Sequence, residues 1–501
     1  MSVSKQDVER EILAWVDANR APGVRFLQEL VQTVSFSGKE GTAADPTTVA
    51  GRVFAAASAH GSHVEAQAVG PESENVIEII AGGPGRTIVL EAHTDTVPEG
   101  DPRPWHDGKP FSGAEGFVEY LGGGRVAVEV GDGHFEAQIR DRMSRIWEMR
   151  SKKRLPIVYG RGSFDNKGPV VSTVLAMGAL AAALKATGAR LAGTAIGAYS
   201  VDEETHATGI KSFACGPASW LAGRGYLGGP IDEQGFLTQI CGIAMDGSYG
   251  WLPIVGHRGS AQFELRTTGR SAHASTPHLG ANATELMSML LLRLRDARDE
   301  MRDRLVASLE TGLLGPPTFA IGTTIVGGGV RSVVMSEQGP VIDRSGVNAI
   351  PNWCRSTIDV RFPPASSLSL DDTVALIQEV LEGALREVPL TDGWSWELAA
   401  LDRDPPVALA RDFQEAERHP LVRTARHRAH QVLGFEPHLE TAPGGTDASF
   451  MITESRIPTL VEFGPAGALS HDTHEYVEVD SVIQGAKILA LTTLDVLGLA
   501  E

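Results

Sequence analysis

The chain has 501 residues, 42% apolar and 21% charged, and a formal net charge of −19. That length exceeds one ordinary core, so two domains are expected, and the acidic balance works against nucleic acid or an anionic membrane as partner. Three scattered cysteines, Cys215, Cys241 and Cys354, form no C-x-x-C pair, which argues against a disulfide framework or a thiolate zinc site and fits a reducing cytoplasm.

Residues 1–25 are charged and carry no apolar h-region, so no signal peptide is expected. Val8, Ile12, Leu13, Trp15 and Val16, then Phe26, Leu27, Leu30 and Val31, recur roughly at helical spacing. Strands are expected at 63–69, 75–80 and 87–92. The longest apolar stretch, Pro169 to Leu184, is shorter than the roughly 20 residues of a spanning helix and reads as a buried helix. Another strand, nearly all apolar, is expected at 194–201, as in the centre of a covered sheet. Such alternation means helices packed over a mixed, mostly parallel sheet.

The pattern changes near Gly256. GSAQFELRTTG alternates apolar and polar residues like a half-exposed antiparallel strand. A long amphipathic helix follows over about 283–308, then strands at TTIVGGG and at 356–362. The expected layout is an α/β catalytic domain from 1–255 and 367–501, split by an α+β domain over 256–366. Segment 113–158 reads as a local insertion, with a hairpin at EYLGGGRVAVEV and a charged helix over 135–154. Its stripe of Phe135, Ile139, Met143 and Ile146 either packs on the parent domain or covers a partner or active site.

Chemistry collects at strand ends. EAHTDTVPEG sets His93 and Asp95 where a strand gives way to a loop, the place where open α/β sheets hold ligands. Residues two apart in extended chain point the same way, so Asp95 can orient His93 from behind. Alone, the pair also fits a surface histidine with a capping aspartate. Asp165 lies in the glycine-rich stretch YGRGSFDNKGPVV, which matches neither phosphate-loop pattern, and neighbouring Lys167 reads as a salt-bridge partner. Asp202, Glu203 and Glu204 follow an apolar strand. Three adjacent acids repel unless cations compensate, although a surface turn also fits. In the functional reading one glutamate ligates metal and the other is the general base for a metal-activated water. Asp246 follows another apolar stretch, and His471 follows TLVEF. Position 478 is glutamate, so H-E-x-x-H is not met at His474. Imidazole and carboxylate donors without cysteine suit two divalent ions, zinc first, with cobalt or manganese as substitutes. His93, Asp165, Glu204, Asp246 and His471 supply the donors.

Taken in order, HTDTVP at 93–98, GRGSFDNKG at 160–168, DEE at 202–204, GRSAHASTPHLGANA at 269–283 and His471 before Glu475-Tyr476-Val477 form a specific set. With it the sequence resembles the zinc-dependent metallopeptidase and aminoacylase superfamily, which includes acetylornithine deacetylase, succinyl-diaminopimelate desuccinylase, glutamate carboxypeptidase and carnosine dipeptidase. The resemblance implies that Asp165 bridges two metals, that His93, Glu204, Asp246 and His471 complete ligation, and that Asp95 orients His93. It makes Glu203 the general base and His273 the oxyanion donor, often from a partner subunit. It casts 256–366 as a lid and dimerisation domain and implies a homodimer. Asn348 and Arg361 would hold the substrate or its carboxylate, and Gly445 and Thr446, in GGTDASF, would line the pocket. The implied activity is hydrolysis of an amide or peptide C–N bond in a small carboxylate-bearing substrate, an N-acyl amino acid or short peptide. Deacylase and exopeptidase stand level. An aryl amide or aromatic amine, and a non-catalytic binding relative, are the alternatives, the last opposed by the intact donor set. Two departures stand out. The 113–158 insertion is absent from compact members, and Asp246-Gly-Ser replaces the Glu-Pro of deacetylase-like members.

Overall fold

A computed structural model describes residues 3–139, 141–247, 250–328, 333–336, 339–342, 348–365 and 367–500. The chain divides into two compact units. One holds 1–255, 408–440 and 446–501; the other holds 256–407 and 441–445.

The first unit is built on a six-stranded sheet. Its parallel centre is Thr87–His93, flanked by Thr194–Ser200 and Ile240–Ala244, with His93 opposite Ser200 and Glu91 opposite Ala244. Thr459–Leu460 adds a parallel edge, and Ser73–Ile80 with His63–Gly70 adds an antiparallel one. Every residue of Thr87–His93 is buried, the polar Thr87, Glu91 and His93 included, as in a central strand covered on both faces. The glycine-led apolar stretch forms the helix Gly168–Thr187. Among the described residues one helical stretch, Ser163–Thr187, is long and apolar enough to cross a membrane. Here it is a core element: Ser172 bonds the Val482 carbonyl on the C-terminal helix Val479–Leu497, and Leu175 fills the space above Gly23.

Segment 113–158 joins a second sheet of six strands, antiparallel in each of its pairings. The expected hairpin is present, Ala114–Gly122 against Arg125–Val130. The expected helix over 135–154 is shorter. Gly133–Gln138 is a strand, because HFEAQ alternates with the period of a strand paired to its neighbour, and the helix is Asp141–Met149. Phe135 therefore leaves the helical stripe. Ile139, Met143 and Ile146 are buried, and the Ile146 side chain lies close to Gly250.

The second unit has a four-stranded antiparallel sheet in the order Thr318–Gly327, Trp353–Phe362, Gly259–Thr268 and Ser395–Asp404. Alternate residues Phe263, Leu265, Ile358 and Val360 face a core shared with Leu286, Leu290, Ile377 and Leu381. The expected boundary at 366 is corrected to 407. Strand Ser395–Asp404 pairs along Gly259–Thr268, and helix Leu370–Leu385 gives Ile377 and Leu381 to the same core. The single helix expected over 283–308 breaks at Ala297 into Ala283–Asp296 and Arg298–Val306. Asp299 and Glu300 give the second piece an acidic first turn, which suits a helix start. Gly329 of the expected strand TTIVGGG lies outside the described residues.

Candidate active site

Three neighbouring parallel strands deliver their carboxyl ends to one place. Thr87–His93 ends on His93, Thr194–Ser200 leads into Asp202–Glu204, and Ile240–Ala244 leads to Asp246. Asp165 comes from the turn before the helix Gly168–Thr187, and His471 from the loop before Tyr476–Glu478.

Two donor groups form there, His93 with Asp165 and Asp246, and Asp165 with Glu204 and His471. Asp165 belongs to both. Its Oδ1 lies 3.3 Å from His93 Nε2 and its Oδ2 3.3 Å from His471 Nε2. Asp246 is 3.9 Å from His93 Nε2, and Glu204 3.0 Å from His471 Nε2. Among the described residues the buried His93 Nε2 and Asp165 Oδ1 have no hydrogen-bond partner. Buried polar atoms normally find partners, so this gap between ligand atoms fits a cation. The charges agree: Asp95, Asp165, Glu203, Glu204 and Asp246 outnumber two imidazoles.

The protonation pattern of the metal-free chain reflects that crowding. Burial pushes Glu203 well above the usual carboxylate range, and the charges of Asp447, Asp246 and Glu204 add to it against the pull of His93. Burial, together with Asp165, raises Glu204 to about 7. Burial favours neutral His93, but Asp165, Asp246 and Asp95 hold its pKa well above the ordinary value. Asp165 and Glu204 raise His471 to about 10. Burial works against the Asp165 charge, yet His471 and His93 hold that carboxyl far below its ordinary value. Such opposed shifts among clustered groups mark a candidate site of chemistry.

Asp95 is fully buried behind His93, with Oδ1 3.3 Å from Nδ1. It also accepts the backbone amides of Glu203 and Glu204 at 3.1 and 3.0 Å and the Ser37 hydroxyl at 2.7 Å. One carboxylate thus lies against the His93 ring on one strand and accepts the backbone of the acidic turn on the next. Glu203 belongs to neither donor group.

Several contributors were not anticipated from the sequence. Ser37 and Glu40 come from an N-terminal loop; buried Glu40 accepts the Asp202 amide at 2.9 Å and the Ser73 hydroxyl at 2.6 Å. Buried Glu475 accepts the amides of Gly162, Phe164 and Asp165 and pairs with Arg161 at 2.5 Å. Asp447 is buried; its Oδ2 accepts the Ser200 hydroxyl, and its Oδ1 has no partner among the described residues. Among the described residues Lys167 has no salt-bridge partner, contrary to expectation. It is fully buried, donates to the Thr33 carbonyl at 2.7 Å, and burial lowers it to about 7.

The remaining expected site residues divide between the units. Thr446 is in the first, with its hydroxyl committed to the Val461 carbonyl and the Ala448 amide. In the second, His273 is exposed and Ala274 donates to the Asn348 carbonyl at 2.9 Å. Gly445 is exposed beside the buried His257 ring. Arg361 offers one edge of its guanidinium to Asp359, Nε at 2.8 Å and Nη2 at 3.2 Å.

The family profile Peptidase family M20/M25/M40 matches residues 132–495. The chain belongs to this family. The matched range takes in Asp165, Glu203, Glu204, Asp246 and His471, and begins after His93 and Asp95. Acetylornithine deacetylase of Vibrio cholerae is 24% identical over 434 residues, 86% of this chain and 87% of that protein. In acetylornithine deacetylase of Vibrio campbellii the match is 27% over 232 residues, 46% of this chain and about half the relative's length, 51%. Succinyl-diaminopimelate desuccinylase of Phenylobacterium zucineum is 26% identical over 332 residues, 65% of this chain and 71% of that one. Among solved structures, human carnosine dipeptidase 1 has the same fold, with a TM-score of 0.62, 14% identity and coverage of 98% of this chain and 99% of that one. M20 relatives thus span deacylases and peptidases.

Proposed function

We propose that this chain hydrolyses an amide-type C–N bond in a small carboxylate-bearing substrate, an N-acyl amino acid or short peptide, with Glu203 as general base. The observation that carries the reading is the pair of donor groups sharing Asp165, with Glu203 beside them and in neither. Two divalent ions, proposed to be zinc, would be held by His93, Asp165 and Asp246 and by Asp165, Glu204 and His471; when bound they supply Lewis acidity to the carbonyl and acidity to an attacking water.

Glu203 takes the water's proton and passes it to the leaving amine. A carboxyl raised by burial and neighbouring acids is basic enough for both tasks. Asp95 fixes the His93 ring and the 203–204 backbone. In the second unit Ser275 N–H donates to His273 Nδ1 at 3.2 Å, which leaves Nε2 to carry the proton and serve as donor to a developing oxyanion. Asp359 occupies one edge of Arg361. The terminal pair of nitrogens is the edge that can grip a substrate carboxylate. The family-like lid motif supports a homodimer.

The test is a metal count joined to a hydrolysis screen of N-acetyl amino acids, dipeptides and aryl amides, before and after chelator. About two ions per chain and chelator-sensitive turnover on one class are expected. Glu203→Gln should lose turnover by roughly 100-fold or more and keep its metal. Loss of metal in that variant would reverse the roles of Glu203 and Glu204.

A further inference from the structure

The segment over 113–158 ends against the loop that carries His471. On strand Gly133–Gln138, Phe135 stacks on His474 with ring centroids 3.9 Å apart and 20° between the planes. On strand Arg154–Tyr159, the Tyr159 hydroxyl meets His474 Nδ1 at 3.0 Å and accepts the His106 amide at 3.1 Å. Trp105 packs edge-on to Tyr159 at 5.7 Å. The next residue in the loop, Glu475, is bonded to Arg161, and Arg161 also holds the Asp472 carbonyl at 3.1 Å.

His471 itself meets Asp165 and Glu204 through Nε2, at 3.3 and 3.0 Å. Its side chain is 53% exposed. Leu469, His471 and His474 all have positive φ, at 66°, 62° and 66°. Such backbone persists in non-glycine residues only where neighbours over-determine it. The neighbours of His474 are Phe135, Tyr159 and Trp105.

We infer that segment 113–158, with the strand that closes it, braces the metal-ligand loop. Phe135 and Tyr159 are positioning residues: they seat His474, and the seat sets His471 against Asp165 and Glu204. This rests on the two-ion reading of the centre.

The experiment is a Co²⁺ titration of the purified metal-free full-length chain, read by visible absorption and calorimetry. The wild-type chain should show two binding steps. Phe135→Ala alters a half-buried strand residue. It should loosen one step roughly two- to tenfold, the worth of an aromatic stack, and leave the other within about twofold. Phe135→Tyr should restore it. Phe117→Ala, an exposed ring on the same segment under Arg154, should change neither step. Two wild-type steps in Phe135→Ala, or equal weakening by Phe117→Ala, would overturn the brace and leave the two-ion centre standing. If Phe135→Ala fails to fold, His474→Ala must reproduce the weakened step, and an unchanged step there overturns the brace. A wild-type chain that binds no Co²⁺ sinks the two-ion reading and the brace with it.

Discussion

Asp95→Asn probes how the centre is held. The side chain is fully buried, and its oxygens take three hydrogen bonds: Oδ1 from the Glu203 amide, Oδ2 from the Glu204 amide and the Ser37 hydroxyl. Asparagine keeps the shape but has one acceptor oxygen. With its nitrogen at the Oδ1 position it confronts the Glu203 amide beside His93. At the Oδ2 position it confronts the Glu204 amide, while the Ser37 hydroxyl can turn and accept. The second arrangement is cheaper and leaves one backbone donor facing a donor. A lost bond of this kind costs about 1–3 kcal/mol, or roughly 5- to 150-fold. The loss falls behind His93 and on the backbone of Glu204, so it should appear as roughly 10- to 100-fold weaker ion binding. Calorimetric titration of the metal-free proteins at one pH, beside thermal melts, measures it. Wild-type affinity for both ions in a folded variant would refute the reasoning. A lower melting temperature with unchanged affinity would make Asp95 a residue of the fold alone.

Ion affinity should rise with pH. In the metal-free chain Glu204 titrates near 7 and His471 near 10, so binding displaces protons from both, and a flat affinity between about pH 6 and 9 would contradict this. For metal-free stability the sign reverses: the raised pKa of His471 gives a contribution that is complete below its ordinary value of 6.5 and fades as pH climbs to about 10, which melts across pH would reveal. Arg361→Ala should raise KM about tenfold for carboxylate-bearing substrates, and equal losses on neutral analogues would count against the clamp. Gly485→Ala should destabilise the first unit by about 1–3 kcal/mol in denaturant melts despite better helix propensity. Its new methyl would lie 1.8 Å from Trp251 Cζ2, and that ring is buried and pinned by a 2.9 Å bond to the Ser481 carbonyl.

The donors of the centre were legible because each sits where a strand or turn ends and because their order along the chain is specific. His93 after an all-buried strand and the acids 202–204 after another carry both signals. The supports were not. Ser37 meets Asp95 across 58 positions and Glu40 meets Asp202 across 162, and no local pattern encodes such pairings. Glu475 was visible only as a marker beside His471, since its work is to accept amides from residues more than 300 positions earlier. Phe135 was misread because Phe135, Ile139, Met143 and Ile146 also satisfy helical spacing, while cross-strand pairing with Val128 decided otherwise. The boundary at 366 failed for a related reason. A helix followed by a strand fits either unit, and only its pairing partner, Gly259–Thr268, assigns it.

The interrupted layout of the first unit has a consequence for its birth. His93, Asp165 and Asp246 are all translated before the second unit begins at Gly256, whereas His471 comes after it. A growing chain therefore holds one complete donor group long before the other. In that interval the helix Gly168–Thr187 lacks its packing partner Val479–Leu497, so its apolar flank stays uncovered. The last stretch to emerge supplies both the missing imidazole and the missing cover. Closure of the hydrophobic core and completion of the second donor group thus fall at the same late moment of synthesis, and a chain cut short before His471 forfeits both.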